Sequence, residues 1–294
     1  MTRRWLFLCL LLLSCFAKAQ NALDFRQVYA NPFFFNPAFA GFSGMTEIGI
    51  AHRQQWVDFE DSPRSSGFTL STPVSKRTGI GFSLFTQNSV SMVTSVFQTA
   101  VSYAVPLSSR QSLRFALSGG AGLDRLDLEG RDYSNDPLIL QAAQDRFYGE
   151  ASFGMLYTAG EFRFGFTMPT LINHQEIGER PVQIHPYQHL LNQLFTVRYK
   201  FNLKSERLSL EPYVLYRLNR DLQNYWEAAA LIHIDKTLMA GFSWNQFYGA
   251  GFFFGFTIHK NFRVNYVWEL PNYNSVGSHS HELMLTMQLG KQPE

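Results

Sequence analysis

The chain is short of cysteine, of long apolar runs and of any excess of charge. Its two cysteines, Cys9 and Cys15, both fall in the apolar stretch near the amino terminus. For everything downstream this excludes a disulfide scaffold, a thiol nucleophile and a Cys-ligated metal. After residue 19 no apolar run approaches the roughly 20 residues that a spanning helix needs. Basic and acidic residues number 25 and 23. That near balance gives no support to a nucleic-acid partner.

The amino terminus reads as a targeting segment. Arg3 and Arg4 form a basic region, Trp5 to Phe16 an apolar one, and Ala17-Lys18-Ala19 a small-residue cleavage site. We therefore expect a signal peptide over residues 1–19 and a mature chain from Gln20. The alternative is a lipoprotein, because Leu13-Ser14-Cys15 resembles a lipobox. Cleavage after Ala19 removes Arg3, Arg4 and Lys18, which leaves 22 bases against 23 acids.

What the chain has in plenty is aromatics: 28 Phe, 13 Tyr and 5 Trp. Its mean hydropathy is nonetheless slightly polar. Many aromatics without a continuous apolar segment suit a transmembrane barrel, where every second residue faces lipid. A soluble β-sandwich is the alternative on composition alone. The alternation is explicit. Phe162, Phe164, Phe166 and Met168 alternate with Arg163, Gly165 and Thr167. Phe262, Val264, Tyr266, Trp268 and Leu270 alternate with Arg263, Asn265, Val267 and Glu269. The same period marks 208–216, 226–234 and 282–289. Side chains two apart share a face, so each segment has an apolar side and a more polar one.

Reading the whole chain this way predicts about fourteen strands. They span 45–53, 64–73, 78–88, 92–105, 111–128, 146–158, 161–170, 187–202, 206–217, 223–234, 237–246, 250–259, 261–270 and 280–290. Most approach the roughly 10 residues of a tilted membrane strand. Connections after even strands are short: Val74–Arg77, Pro106–Arg110, Ala159-Gly160, Leu203–Ser205 and Asp235-Lys236. Several after odd strands are long: Gln54–Pro63, Glu129–Asp145, Leu171–Pro186 and Pro271–His279. That asymmetry belongs to outer-membrane barrels, whose short turns face the periplasm. The fold class expected is all-β, an antiparallel transmembrane barrel over 45–290. Trp226, Trp244 and Trp268, near strand ends, are candidates for an interfacial girdle. The inward positions Glu47, Arg53, Arg163, Glu211, Glu227, Arg263, Glu269 and Glu282 carry mixed signs. A lumen held by ion pairs follows, not a single-sign selectivity ring.

Residues 20–44 precede the first strand and read as an irregular aromatic segment. Asn31-Pro32 and Asn36-Pro37 start turns, and Phe33, Phe34, Phe35, Phe39 and Phe42 surround them. Five phenylalanines are costly in water, so they are expected to be buried, as a plug, as a docking peptide or against the barrel base.

Several short motifs carry a family resemblance. Asn36-Pro37-Ala38-Phe39-Ala40-Gly41 resembles the N-P-A-x-A-G element of the PorP/SprF family. Arg53-Gln54-Gln55-Trp56 resembles its R-x-Q-W element, Ser62-Pro63 its following S-P segment, and Ser280-His281-Glu282 the S-H-E that opens its last strand. The resemblance implies an outer-membrane component of the Bacteroidetes type IX secretion system. It further implies support for secretion or surface attachment of a specific cargo protein of gliding-adhesin type. The partners so implied are a secreted cargo with a C-terminal sorting domain, type IX or periplasmic components, and the lipid bilayer. The positions carried over are Asn36, Pro37, Ala38, Gly41, Arg53, Gln55, Trp56, Pro63, His281 and Glu282, as partner-binding or structural residues. The alternative function is an outer-membrane channel for small or hydrophobic solutes.

In a closed barrel the first and last strands pair antiparallel. Arg53 and Glu282 share inward parity at the long-loop end, so they are expected to meet at the seam with Trp56 close by. No catalytic set is expected, since no nucleophile, base and orienting group can be picked out. No cofactor is expected. His279 and His281 lack a third ligand, so no metal site is expected. The glycines of 79–81 and 119–122 suit bulges or crowded lumen positions, not phosphate loops.

Overall fold

The computed structural model describes residues 25–89, 92–126, 145–172, 192–204, 207–219, 224–235, 237–259, 261–271 and 277–290. The signal peptide expected over 1–19 lies outside the described residues, as do residues 20–24.

Alternating sequences give alternating strands. In chain order they are β1 (Thr46–Gln54), β2 (Arg64–Pro73), β3 (Thr78–Ser89), β4 (Met92–Pro106), β5 (Gln111–Leu126), β6 (Arg146–Ala159), β7 (Phe162–Met168) and β8 (Gln193–Tyr199). Then follow β9 (Phe201–Lys204), β10 (Leu208–Leu218), β11 (Tyr225–Ile234), β12 (Leu238–Asn245), β13 (Gly249–Ile258), β14 (Phe262–Glu269) and β15 (Ser280–Leu289). β8 and β9 are one stave broken at Lys200: both pair antiparallel with β10, in the same register on either side of the break. The register slips only between Leu208 and Ser209. The barrel therefore has fourteen staves, each antiparallel to its neighbours.

The sheet closes. β1 pairs with β15 from Thr46↔Leu289 to Gln54↔His281. On the far side β10 pairs with β11 from Leu208↔Ile234 to Arg217↔Tyr225. Among the described residues every stave thus has a paired neighbour on both sides, as a sheet in hydrocarbon requires. Strand bounds agree with the period-two reading to within a few residues. The stretch 187–191 of the eighth expected strand lies outside the described residues. The break at Lys200 has no counterpart in the alternation.

The outward face is apolar. Ile50 is 51% exposed, Leu117 61% and Phe254 51%, all at outward parity. Such a belt is too extensive for a water-facing surface and fits lipid. Trp226, Trp244 and Trp268 all lie one residue from the long-loop end of their strands, on that outer face. β4, β5 and β6 run 15, 16 and 14 residues. They overrun the 9–11 residues a membrane strand needs, and the exposed Arg125–Asp145 ion pair joins β5 to the residue preceding β6.

The lumen is occupied. Residues 25–45 lie inside, because their partners come from all round the wall. Phe25 meets Phe85 of β3, and Tyr29 meets Phe253 of β13. Asn31 donates to Thr69 of β2, and Asn36 reaches β6 and β7. Ser102 of β4 and Arg114 of β5 both donate to the Ala40 carbonyl. Only a position within the cylinder satisfies all of these. Phe33, Phe34, Phe35 and Phe39 are each under 10% exposed, while Phe42 is half-buried. The segment also has a direction. Phe25–Gln27 lie at the long-loop end of the lumen, and Ala40-Gly41 at the short-turn end beside Pro73 and Gly79. The chain descends the lumen before turning into β1.

The glycines of 79–81 and 119–122 divide by parity. Gly79, Gly81, Gly120 and Gly122 face crowded lumen positions, whereas Gly119 faces outward with open space before it. The register through both stretches is continuous, so they are not bulges.

Closure in lipid predicts a sharp asymmetry in tolerance. Ile50→Arg, which puts a cation in the apolar belt between Leu285 and Phe68, is expected to lower the unfolding free energy by about 2–4 kcal/mol. Urea unfolding in lipid vesicles, followed by tryptophan fluorescence, measures it; an unchanged midpoint argues against lipid at that position.

Candidate functional site

The amino-terminal segment is built on two short 3-10 turns, Pro32–Phe34 and Pro37–Phe39, each with an Asn just before its proline. Proline presets φ for a first helical position and gives up no needed donor there. Asn36 accepts from the Ala38 amide at 2.9 Å, which caps the second turn. Its amide nitrogen donates to the carbonyls of Met155 at 3.0 Å and Phe166 at 3.3 Å. One side chain thus starts a turn and staples it to two staves. Gly154 leaves the room: a β-carbon there would sit 2.2 Å from the Asn36 oxygen. Pro37 and Ala38 are buried beside it. Gly41 adopts φ +64°, and a β-carbon would lie 2.7 Å from the Gly79 α-carbon. Its amide donates to Ser71 at 2.8 Å.

At the other end of the lumen lies a buried ionic cluster. Arg53 of β1 stands in register with Glu282 of β15. Its guanidinium is 3.5 Å from Glu282 and 2.6 Å from Glu269 of β14. Arg26, from the segment, lies 2.7 Å from Glu269 and 3.1 Å from Glu227 of β11. Glu282 also accepts the backbone amides of Arg26 at 2.7 Å and Gln27 at 3.2 Å. Asn245 donates to Glu227, and the Tyr248 ring faces both guanidinium groups at 5.3 and 5.8 Å. Two arginines and three carboxylates, all under 6% exposed, therefore join the segment to the seam and to β11. Charges so buried survive only with close partners, and removing one partner strands the rest.

A clasp caps this cluster on the outside. After β1 the chain turns at Trp56, whose φ of 49° is unusual for a non-glycine residue. The Trp56 amide donates to Ser280 at 3.3 Å, Val57 to the His279 carbonyl at 3.0 Å and Asp58 to Ser278 at 3.2 Å. Gln55 is buried and its amide donates to the Pro63 carbonyl at 2.9 Å, which closes the loop on itself. The first outer loop is thereby fastened to the start of the last strand.

The structure brings Arg53, Gln55, Trp56, Pro63 and Glu282 together at this outer seam. Asn36, Pro37, Ala38 and Gly41 stand apart, lower in the lumen. His281 points outward, where its Nδ1 hydrogen-bonds the Tyr266 hydroxyl; His279 accepts from the Trp268 indole at 3.2 Å. Sequence reasoning missed Arg26, Asn245 and Tyr248. It placed Glu227 and Glu269 inward without assigning them to the cluster. Their shared parity and nearness to long-loop strand ends was the available signal. For Arg26 there was none, because an irregular segment has no period.

A family model described as "Type IX secretion system membrane protein PorP/SprF" matches residues 17–287. The chain belongs to the PorP/SprF family. No curated protein sequence matches it. Among solved structures it is similar to a mutant of the TodX monoaromatic hydrocarbon channel, with a TM-score of 0.53 at 11% identity, covering 89% of this chain and 94% of that one. The Pseudomonas putida toluene transporter TodX gives 0.50 at 11%, covering 87% and 93%. A Pseudomonas aeruginosa FadL homologue gives 0.50 at 10%, covering 87% and 92%. At these identities the likeness is one of fold. It places this PorP/SprF protein among outer-membrane barrels, and its family is not an enzymatic kind.

The cluster makes a quantitative prediction. Arg53→Met strands Glu282 and should lower the unfolding free energy by about 3–5 kcal/mol. Adding Glu282→Gln, which removes the charge but keeps an acceptor for the Arg26 and Gln27 amides, should recover part of that loss. Denaturant titration of the single and double variants reads both; equal stability of all three proteins contradicts the cluster's role.

Proposed function

We propose that this PorP/SprF protein supports secretion or surface attachment of one dedicated cargo protein, recognised through its C-terminal sorting domain. The observation that carries the reading is the occupied lumen. The chain's own segment fills the cylinder and is anchored at both ends, by Asn36 and Gly41 below and by Arg26 above. A barrel so filled offers its rims to partners, not an open bore. Its outer rim bears the Trp56 clasp. Its inner rim bears tight turns such as 74–77 and 160–161, which suit the periplasmic components of the secretion system. The fold's kinship with other outer-membrane barrels is compatible with this role but does not carry it.

A channel for small or hydrophobic solutes is the second reading. What favours it is a cavity of about 190 Å³ in the outer half of the lumen.

Deleting the gene separates the two. On the first reading one protein with a C-terminal sorting domain disappears from the cell surface, solute uptake stays normal, and the purified barrel shows no defined conductance in planar bilayers. Normal surface proteins together with a reproducible single-channel conductance would establish the second.

A further inference from the structure

Above Phe34 the lumen opens into a cup of about 190 Å³. Asp124 of β5 and Glu150 of β6 stand on one wall, and Arg217 of β10 lines the same space, with Asn192 and Asn219 beside it. Asp124 is held in place, accepting from Thr94 at 2.7 Å and from the Tyr148 hydroxyl at 3.5 Å.

Arg217 is the anomaly. The buried arginines among the described residues are Arg26, Arg53, Arg114 and Arg217. Arg26 and Arg53 sit on carboxylates. Arg114 donates to the Ala40 carbonyl and to Ser102. Arg217 is 7% exposed, yet among the described residues it meets only the Tyr225 ring, 5.8 Å from its guanidinium carbon. A ring face offers no acceptor for the N–H groups of a guanidinium, and those of Arg217 border the cavity. Among the described residues the other buried arginines have an ionic or hydrogen-bonding partner, whereas this one faces the cavity, and such departures mark functional positions. The guanidinium is a planar fork suited to a carboxylate.

We propose that the cup binds an amino-acid-like ligand whose carboxylate meets Arg217 and whose cationic group meets Asp124 and Glu150. The chemistry is shared by a free basic amino acid and by the basic carboxy-terminal residue of a polypeptide. The amides of Asn192 and Asn219 supply further hydrogen bonds, and Phe34 packs against the aliphatic part.

The test is binding to the purified, full mature barrel in detergent, and its outcome is independent of the secretion role. The probes are L-lysine and acetyl-glycyl-glycyl-lysine, each as the free acid and as the carboxamide, titrated calorimetrically. One free acid should bind saturably. Its carboxamide should bind at least about 30-fold more weakly, as should the free acid to Arg217→Gln. Tighter binding of the peptide identifies a chain terminus as the source; tighter binding of lysine identifies a free amino acid. Heat-dependent gel mobility shows whether Arg217→Gln folds, and if it does not, the carboxamide comparison on the unmodified protein stands alone. No saturable binding of either acid, or equal binding of acid and carboxamide, overturns the proposal.

Discussion

Backbone hydrogen bonding in a medium without water is the constraint from which the rest follows. Every amide and carbonyl in the apolar belt must find a partner within the sheet. The β1–β15 seam supplies the last of them, over nine consecutive residue pairs. Because the sheet closes, one face of each strand must be apolar and the other must line an enclosed space. The period-two pattern is the sequence-level record of that division. The apolar side chains of the outer face are where they are because lipid, not protein, covers them.

Closure creates a second problem, which is what fills the inside. A fourteen-stave lumen is too wide for wall side chains alone, and this chain fills it with residues 25–45. The filling is apolar in part, with Phe25 against Phe34 and Phe85. It is ionic at the outer end, where Arg26 joins Glu227 and Glu269. The two devices do different work. Packing gives most of the burial, while the charge pairs fix which strands the segment addresses and at what height. Arg53 links that arrangement to the seam, so the segment and the closure of the barrel share carboxylates at Glu269 and Glu282.

Much of this was legible in the sequence because it is periodic. Strands such as β10 and β14 announce themselves by strict alternation. The meeting of Arg53 with Glu282 follows from antiparallel pairing of the first and last strands plus parity. The break at Lys200 was not legible, since a register-preserving interruption leaves the alternation intact. Nor was Arg26, since the route of an aperiodic segment is set by tertiary partners and not by local pattern. The two Asn-Pro pairs announced turns, but not that Asn36 would also bond to β6 and β7. Arg217 sits at an ordinary inward position, and that it meets no carboxylate among the described residues is visible only once the wall is assembled.

The segment's position inside the barrel ties the closure of the sheet to the filling of its lumen. No cysteine follows residue 15, so the barrel and its lumen segment accept a designed pair of thiols without interference. Asn31 and Thr69 touch through a 2.7 Å side-chain hydrogen bond. Combining Asn31→Cys with Thr69→Cys in cells should give a disulfide in the outer membrane, seen as altered mobility of the unfolded chain without reductant. The single Asn31→Cys variant should resist a membrane-impermeant maleimide. Rapid labelling of that thiol, with no crosslink in the double variant, would contradict an occupied lumen.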